Sequence, residues 1–201
     1  MIANIKKQFD THIALELAMK VFWENGYSGT SVQDLTSTIG ITKPSLYNAF
    51  GNKESLFVLA LKHYLDSQVK NRMPLLNDND LPLEKRLKNY MMSIVDRQCC
   101  SGSPKGCMVV MCQPEALGKN IPEAARIALK EAGEAVQLNL KEFFLTDKES
   151  ILAELDRNAT TNALIIATTL RGTASMACTG RNKKELEIVV DHCLKSMIKS
   201  N

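Results

Sequence analysis

The sequence predicts an all-α protein of about nine helices, with a small three-helix head ahead of a larger helical domain. Apolar residues recur every three or four positions in nearly every segment, and the alternation typical of a half-buried strand is missing. Glycines, prolines and capping residues fall between these segments, where helices begin and end. With 201 residues, 45% of them hydrophobic, the chain can bury a core.

The first two helices of the head are delimited by glycines and by a cap. The first is predicted from Thr11 to Gly26, which suits the left-handed position that ends a helix. Its apolar stripe consists of Ile13, Ala14, Leu17, Ala18, Val21 and Phe22. Ser31 is the predicted N-cap of the second helix, because its hydroxyl can accept a backbone N–H bond, and this helix runs to Gly40.

The stretch GITKPSLYNAF, residues 40–50, predicts a short third helix that begins after the cap Thr42 and ends before Gly51. Pro44 falls in its first turn, where a missing backbone N–H costs nothing. Leu46 and Phe50 are predicted to face the core. The outward side carries Thr42, Lys43, Ser45 and Asn48. Because so short a helix is marginal alone, its polar surface is expected to have a partner.

The larger domain follows a connecting helix predicted over 53–73. We expect a head of residues 1–55 and a ligand-binding and dimerisation domain of residues 56–201, with a linker at Pro74 and the run NDND, 77–80. The remaining helices are predicted over about 82–100, 106–117, 122–145, 157–178 and 183–199.

Composition limits the class of protein only loosely. The net charge of +3 permits a polyanionic partner without requiring one. Glu16 and Lys20 interrupt the first apolar stretch, which argues against a secretory segment. The longest apolar run, ALIIATTL at 163–170, is far shorter than a membrane span. We expect a cytoplasmic protein with reduced thiols and no membrane partner.

The two short helices, joined by a tight turn at Gly40 and braced by a preceding helix, form a helix-turn-helix. In this motif the second helix of the pair enters the DNA major groove with its N-terminal residues. The stretch GYSGTSVQDLTSTIGITKPSLYNAFGNKESLF, residues 26–57, resembles the N-terminal signature of the tetracycline-repressor-like (TetR) transcriptional regulators. The remainder of the chain resembles this family only in the number, length and position of its helices.

The resemblance implies a ligand-responsive regulator, in particular a repressor that binds a near-palindromic operator in double-stranded DNA as a homodimer. A small effector of unknown identity in the larger domain would release it. The residues expected at the DNA are Ser31, Thr42, Lys43, Pro44, Ser45, Tyr47, Asn48 and Lys53, with phosphate contacts from Ser31, Tyr47 and Lys53. Whether Lys43 and Asn48 contact base edges or phosphates stays open. The alternative is that Tyr47 is a half-buried core aromatic beside an ordinary solvated face.

The resemblance also implies that the last two helices pair two copies of the chain. The expected interface consists of Ala163, Ala167, Leu170, Ala174, Leu186, Val190, Cys193 and Met197. The alternative is that both stripes face the core of the monomer. The helices of about 82–145 are expected to enclose the effector site, a common place for a ligand. Its candidate residues are Tyr90, Met91, Cys107, Met111, Cys112, Phe143 and Arg171.

A second hypothesis makes Cys107 a redox or electrophile sensor on the same DNA-binding head. Cys107 is predicted just inside a helix start beside Lys105, where dipole and cation favour a thiolate. Some regulators of the resembled family sense oxidants or electrophiles through a cysteine. Possible resolving partners are Cys99, Cys100 and Cys112. The alternative is that all these cysteines are small buried hydrophobes.

The sequence gives little support to the hypotheses of an enzyme or of a metal-binding protein. An all-α enzyme that processes a small molecule is the less favoured alternative, because no P-loop, dinucleotide motif, H-E-x-x-H or G-x-S-x-G occurs. The histidines at 12, 63 and 192 are scattered and no C-x-x-C occurs, so no metal site and no cofactor are expected.

Overall fold

The computed structural model of the chain describes residues 9–68, 70–118 and 121–198, and these residues form helices and no strand. The predicted all-α fold is confirmed. The described α-helices are α1 (Thr11–Asn25), α2 (Val32–Ile39), α3 (Lys43–Phe50), α4 (Lys53–Gln68), α5 (Leu83–Cys99), α6 (Met108–Cys112), α7 (Glu123–Thr146), α8 (Lys148–Leu152), α9 (Ala159–Cys178) and α10 (Lys183–Met197). Three 3-10 segments cover Lys70–Leu76, Gln113–Leu117 and Asp156–Asn158. Within this part of the chain, no helix combines the length and apolar character of a membrane span.

Two helices are shorter than predicted. The helix predicted over 53–73 is described as an α-helix as far as Gln68, and the segment Lys70–Leu76, which contains Pro74, is a 3-10 helix. The helix predicted over 106–117 is α6 alone, because Gly106 has a φ of 75°. After Cys112 the chain continues as a 3-10 segment that contains Pro114.

The additional short helix α8 lies where a loop was predicted. The side chain of Asp147 caps it by accepting a hydrogen bond from the backbone N–H of Ser150 at 2.9 Å. The same carboxylate accepts two bonds from the buried guanidinium of Arg86, at 2.7 and 3.0 Å. Burial by itself raises the pKa of Asp147, but the bonds from Arg86 and the backbone hold that pKa below its ordinary value.

Apolar side chains form two clusters, and the first of them contains residues on both sides of the predicted domain boundary after residue 55. The first joins the inner faces of α1 to α4 to α6 and the first half of α7. The second joins α5, the end of α7, α9 and α10. Because α4 packs against both α1 and α7, the head and the larger domain share the first cluster. The boundary between residues 55 and 56 therefore stays a prediction about function.

Six of the eight side chains predicted for the dimer contact are buried inside the monomer, where a second copy does not reach them. The side chains of Ala163, Ala167, Leu170, Ala174, Leu186 and Val190 are at most 5% exposed. Cys193 and Met197 pack beside them as partly buried residues. The small residues of α9 allow it to lie close to α5 and α7. The second interpretation of these stripes, as part of the monomer core, is the one that the burial supports.

Candidate nucleic-acid interface

The start of α2 is fixed by a reciprocal cap. The hydroxyl of Ser31 accepts the backbone N–H of Asp34 at 3.1 Å, and the Asp34 carboxylate accepts the backbone N–H of Ser31 at 2.8 Å. This pair satisfies two donors that a helix start otherwise leaves unpaired. The bonds from the side chain and backbone of Ser31 hold the pKa of Asp34 below its ordinary value.

The turn between α2 and α3 depends on Gly40. Its backbone is left-handed, with φ 76° and ψ 32°, a conformation that favours glycine. The N–H groups of Gly40 and Ile41 both donate to the carbonyl of Thr36, at 2.9 and 3.1 Å. Thr42 then caps α3, because its hydroxyl accepts the backbone N–H of Ser45 at 3.3 Å. These bonds set the direction in which α3 leaves α2.

Helix α3 has one buried and one exposed side, as the sequence predicted, except that Ser45 was expected on the exposed side. Leu46 and Phe50 are buried in the same cluster as Leu35 of α2, whereas Ser45 is half-buried. The exposed side, here named the α3 face, consists of Thr42, Lys43, Pro44, Tyr47 and Asn48. Tyr47 is 38% exposed, and the Lys43 ammonium lies 5.6 Å from the centre of its ring. The α3 face thus presents an ammonium, a phenol, a hydroxyl and an amide to solvent.

Two of the predicted DNA contacts lie apart from the α3 face. The ammonium of Lys53 donates to the carbonyl of Thr30 at 2.7 Å and lies 4.2 Å from the ring centre of Tyr27. Burial lowers the pKa of Lys53. Lys53 therefore braces the loop between α1 and α2 from within. Ser31 is exposed at the end of that loop, with its hydroxyl engaged in the cap.

The head and the larger domain are joined by a contact that the sequence did not predict. The carboxylate of Glu115 accepts the backbone N–H groups of Tyr27 and Ser28, at 2.8 and 2.7 Å. Gly26 allows this approach, because a Cβ at its position would lie 2.1 Å from the Glu115 Oε1 atom. Glu115 is 87 residues from Ser28, so no local pattern signals the pair. This Glu115 contact ties the α1–α2 loop to the segment that follows α6.

A cavity of about 70 Å³ lies between α4, α5, α6, α7 and α9. Of the seven predicted effector residues, the structure brings only Cys107 and Arg171 to its wall. Tyr90, Met91 and Cys112 are fully buried in the two clusters, Met111 is exposed, and Phe143 borders a separate open pocket. On α5 the residues that reach the cavity are Ile94, Arg97 and Gln98. The sequence identified this helix but not the side that faces the cavity.

Cys107 precedes α6 rather than lying inside it, with φ −138° and ψ 128°. Its Sγ atom accepts a hydrogen bond from the hydroxyl of Tyr64 at 3.1 Å, and burial together with Cys107 raises the pKa of Tyr64. Burial raises the pKa of Cys112 to about 12, which makes it a poor resolving thiol. Cys178, which the sequence did not single out, lies beside Gly106 at the end of α9. No group of three metal-ligating side chains occurs among the residues whose placement is described.

Comparisons with known proteins agree with this architecture. The sequence profile of the bacterial regulatory proteins of the tetR family matches residues 14–60. The chain is 36% identical over 104 residues to the HTH-type transcriptional repressor ComR of Escherichia coli (strain K12), an alignment of 52% of this chain and 50% of ComR. It is 31% identical over 124 residues to the repressor BdcR of the same strain, covering 62% of this chain and 60% of BdcR. The chain thus spans little more than half the length of these relatives.

A likeness over the full length appears among solved structures. A cysteine mutant of the TetR family transcriptional regulator CifR, complexed with 26-bp double-strand operator DNA, is 31% identical with a TM-score of 0.85. The alignment covers 95% of this chain and 98% of that one. The reduced form of E. coli NemR has a TM-score of 0.74 at 22% identity, a likeness of fold alone.

Proposed function

The chain belongs to the TetR family of bacterial regulatory proteins, and from this premise we propose that it is a DNA-binding transcriptional repressor. It binds a near-palindromic operator as a homodimer and leaves the DNA when a small effector occupies the cavity. The observation that carries this proposal is the α3 face, which exposes polar groups at the start of a short helix braced by two others. The operator complex of CifR, similar over nearly the whole chain, supports it.

The α3 face supplies donors of the kind that DNA contacts require. The Lys43 ammonium and the Tyr47 hydroxyl can donate to phosphate oxygens, which fix the position of a protein on the duplex. Lys43 can alternatively donate to a guanine edge, and Asn48 can pair with an adenine edge. Lys53, bound to Thr30, holds the loop that presents Ser31.

Dimer formation is assigned to the outward sides of α9 and α10, opposite to the stripes that the sequence suggested. Leu164, Ile165 and Met176 of α9 and Ile188 and Val189 of α10 are 40–67% exposed. Over its 20 residues α9 carries one charged side chain, Arg171. An apolar surface this extensive on two adjacent helices marks an interaction site, and a second copy is the expected partner because closed twofold pairing is the commonest assembly.

Gly172 adds an independent argument for close pairing. It lies in the exposed middle of α9, and a Cβ there would meet no atom within 4 Å. A glycine in a helix interior costs about 1 kcal/mol relative to alanine, and nothing within the monomer requires it. A second helix that approaches closely at this point supplies the reason. Two heads held in this way can read half-sites about 34–36 Å apart, or a multiple of that distance.

Effector binding is coupled to the head through α4 and α6. Tyr64 and Cys107 line the cavity, and Tyr64 packs edge-on against Trp23 of α1 with ring centres 5.0 Å apart. Glu115, on the segment after α6, holds the α1–α2 loop. An effector that binds more tightly when α6 is displaced therefore also favours a displaced head. DNA binding weakens the effector by some coupling free energy, and the effector weakens DNA binding by the same amount.

The test is a salt titration of binding to an operator selected from random duplex DNA. We expect Lys43→Ala to weaken binding and, if Lys43 contacts a phosphate, to reduce the salt slope by about 1. Tyr47→Phe, which removes one hydroxyl, should weaken binding without changing the thermal stability. Lys62→Ala, at an exposed lysine of α4, is the matched control and should bind as the parent does. If the parent shows no salt-dependent binding to any duplex, the proposed function is wrong.

A second candidate, favoured by the position of Cys107 in the cavity wall, is that the effector acts on its thiol. The Tyr64 hydroxyl lies at hydrogen-bonding distance and Cys178 is nearby, so a modified Sγ atom would disturb the core between α4 and α6. We expect a thiol-alkylating reagent to release the parent from DNA and to leave Cys107→Ser bound. Cys100→Ser, at an exposed cysteine, should respond as the parent does. Release of Cys107→Ser by the reagent would exclude this candidate.

A further inference from the structure

The cavity wall carries an excess of positive charge. Arg72, Arg97 and Arg171 all line it, and no carboxylate occurs among its described lining residues. Elsewhere the chain pairs a buried arginine with acids: Arg86, 1% exposed, is bound by Asp147 and lies 3.6 Å from a Glu149 oxygen. Buried charges are normally paired in this way. Arg72 and Arg97 are half-buried and Arg171 is exposed, and none of the three has an acidic partner among the described residues of the wall.

Neutral groups make the hydrogen bonds of these three guanidinium groups. Arg72 donates to the carbonyl of Ser93 at 3.4 Å and to the Gln68 Oε1 atom at 3.3 Å. Arg97 donates to the carbonyl of Pro104 at 3.5 Å. Arg171 donates to the carbonyl of Gly133. The bonds of Arg72 and Arg97 are long for N–H···O contacts, so their donors stay available to a stronger acceptor.

Arg72 and Arg97 line the cavity together with Tyr64. The Arg97 guanidinium lies 4.4 Å from the centre of the Trp23 ring, which packs against the Tyr64 ring with centres 5.0 Å apart, and burial together with Arg97 lowers the pKa of Arg72. Two cations in the wall of one small cavity repel each other, and an anion between them removes the repulsion. A carboxylate suits this position, because a planar guanidinium donates to it with two parallel N–H groups.

A polar atom of the wall lacks a partner. Gln98 is 3% exposed, and its Nε2 atom donates to the carbonyl of Leu170 at 2.9 Å. Its Oε1 atom is buried without a hydrogen bond. A buried acceptor left unpaired is unfavourable, so a ligand that fits the cavity should carry a donor as well as an acid.

We propose that the effector is a short carboxylate with a hydroxyl beside the acid, bound by Arg72 and Arg97 through the carboxylate and by Gln98 through the hydroxyl. The inference names the ligand class of the proposed effector site and rests on the proposed function for its regulatory meaning. The cavity of about 70 Å³ is several times larger than the roughly 10–15 Å³ that one water needs. Ile94, Val136 and Leu170 supply apolar wall for the remainder of the ligand.

The surface groove next to the cavity is also positively charged. An open groove on the surface shares Val110 and Arg171 with the cavity wall, and it also carries Arg126 and Lys130. No acidic residue is among the described residues that line this groove. A cleft lined by one sign of charge raises the local concentration of the opposite ion. Arg126 is paired with Glu123 on the surface, so the positive charge of the groove comes mainly from Lys130 and Arg171 and favours the entry of anions over neutral molecules.

The test uses the only tryptophan of the chain. Arg97 lies over the Trp23 ring, 4.4 Å from its centre, so a ligand that engages Arg97 changes the Trp23 emission. The full chain without DNA is titrated with sodium lactate, with its neutral isostere lactamide and with propionate, at constant ionic strength. We expect lactate to bind about tenfold or more tightly than lactamide, because lactamide lacks the negative charge that pairs with the two guanidinium groups. Propionate should bind more weakly than lactate.

Three variants show which groups produce the difference. Arg72→Gln should lose most of the lactate response, and Arg72→Lys, which keeps a charge, should retain part of it even if Arg72→Gln is less stable. Gln98→Met should bind lactate and propionate equally. Arg157→Gln, at an exposed arginine paired with Glu154 on the surface, is the matched control and should respond as the parent does. Melting curves without ligand confirm that each variant is folded.

Equal binding of lactate and lactamide, or an undiminished response in Arg72→Gln, would overturn the proposal. Equal binding of lactate and propionate by the parent would remove the role of Gln98. These titrations contain no DNA, so their outcome is separate from the operator experiment. A protein that binds its operator but no carboxylate contradicts only this inference, whereas one that binds lactate but no duplex contradicts only the proposed function.

Discussion

Replacing Glu115 with alanine is expected to lower the stability of the whole chain by detaching the α1–α2 loop from the larger domain. In the parent, one carboxylate accepts two backbone N–H groups, from Tyr27 at 2.8 Å and from Ser28 at 2.7 Å. Both bonds join segments far apart in sequence, so no neighbouring residue restores them after the substitution. Glu115 itself is half-buried.

The size of the effect follows from the two bonds. A hydrogen bond to a charged group contributes about 1.5–3 kcal/mol. The loop lies near the surface, where water replaces part of what is lost, so the pair together should contribute about 2–3 kcal/mol. For a chain of this size, that loss lowers the Tm by about 4–12 °C.

Urea unfolding followed by circular dichroism measures the loss in free energy. Glu131→Ala, at an exposed glutamate of α7, is the matched control and should unfold with the parent. Gly26→Ala disturbs the same contact through its other partner segment, because the added Cβ would collide with the Glu115 carboxylate. The double variant should therefore lose less than the sum of the two single losses. If Glu115→Ala unfolds within 0.5 kcal/mol of the parent, about the scatter of neutral surface changes, the contact does not stabilise the fold.

Three further outcomes are expected. Leu46→Ala, at a fully buried side chain of α3, should cost about 2–5 kcal/mol in urea unfolding, and a loss below 1 kcal/mol would mean that α3 does not pack on the core. Gly172→Ala should weaken the dimer and Gly172→Leu should give monomers in sedimentation, because each adds atoms where a second helix is proposed to approach closely; a dimeric Gly172→Leu protein would refute the close approach. For Asp147, the folded pKa is lowered, so its pairing with Arg86 stabilises the fold fully above the unfolded pKa of about 3.9 and is lost as the pH falls through the folded value. The parent's stability advantage over Asp147→Asn should be constant from pH 7 to 5 and shrink below about pH 4.

Features that depend on residues within one helical turn were accessible from the sequence. Ser31 and Thr42 cap the helices that they were expected to cap, and Leu46 and Phe50 form the buried side of α3. A cap involves atoms three residues apart, and the two sides of a helix follow from its period. The positions of the exposed residues along α3 were therefore predictable, whereas their contacts with DNA stay a prediction.

Features that join distant segments were not accessible in this way. The stripes of α9 and α10 had the spacing of a contact surface, but spacing does not say whether the partner is the same chain or a second copy. Cys107 was placed inside a helix because Gly106 alone did not indicate whether the helix begins before or after Cys107; the left-handed turn at Gly106, next to Cys178, is decided by packing.

The sequence by itself determined the helical class, the caps and the two-sided third helix, since these depend on neighbours in the chain. Only the tertiary structure decided which side of α9 is outward, that Glu115 holds the head, and that three arginines share one cavity. Each of these depends on packing between residues dozens of positions apart. Periodicity gives the faces of a helix, and only packing decides what each face contacts.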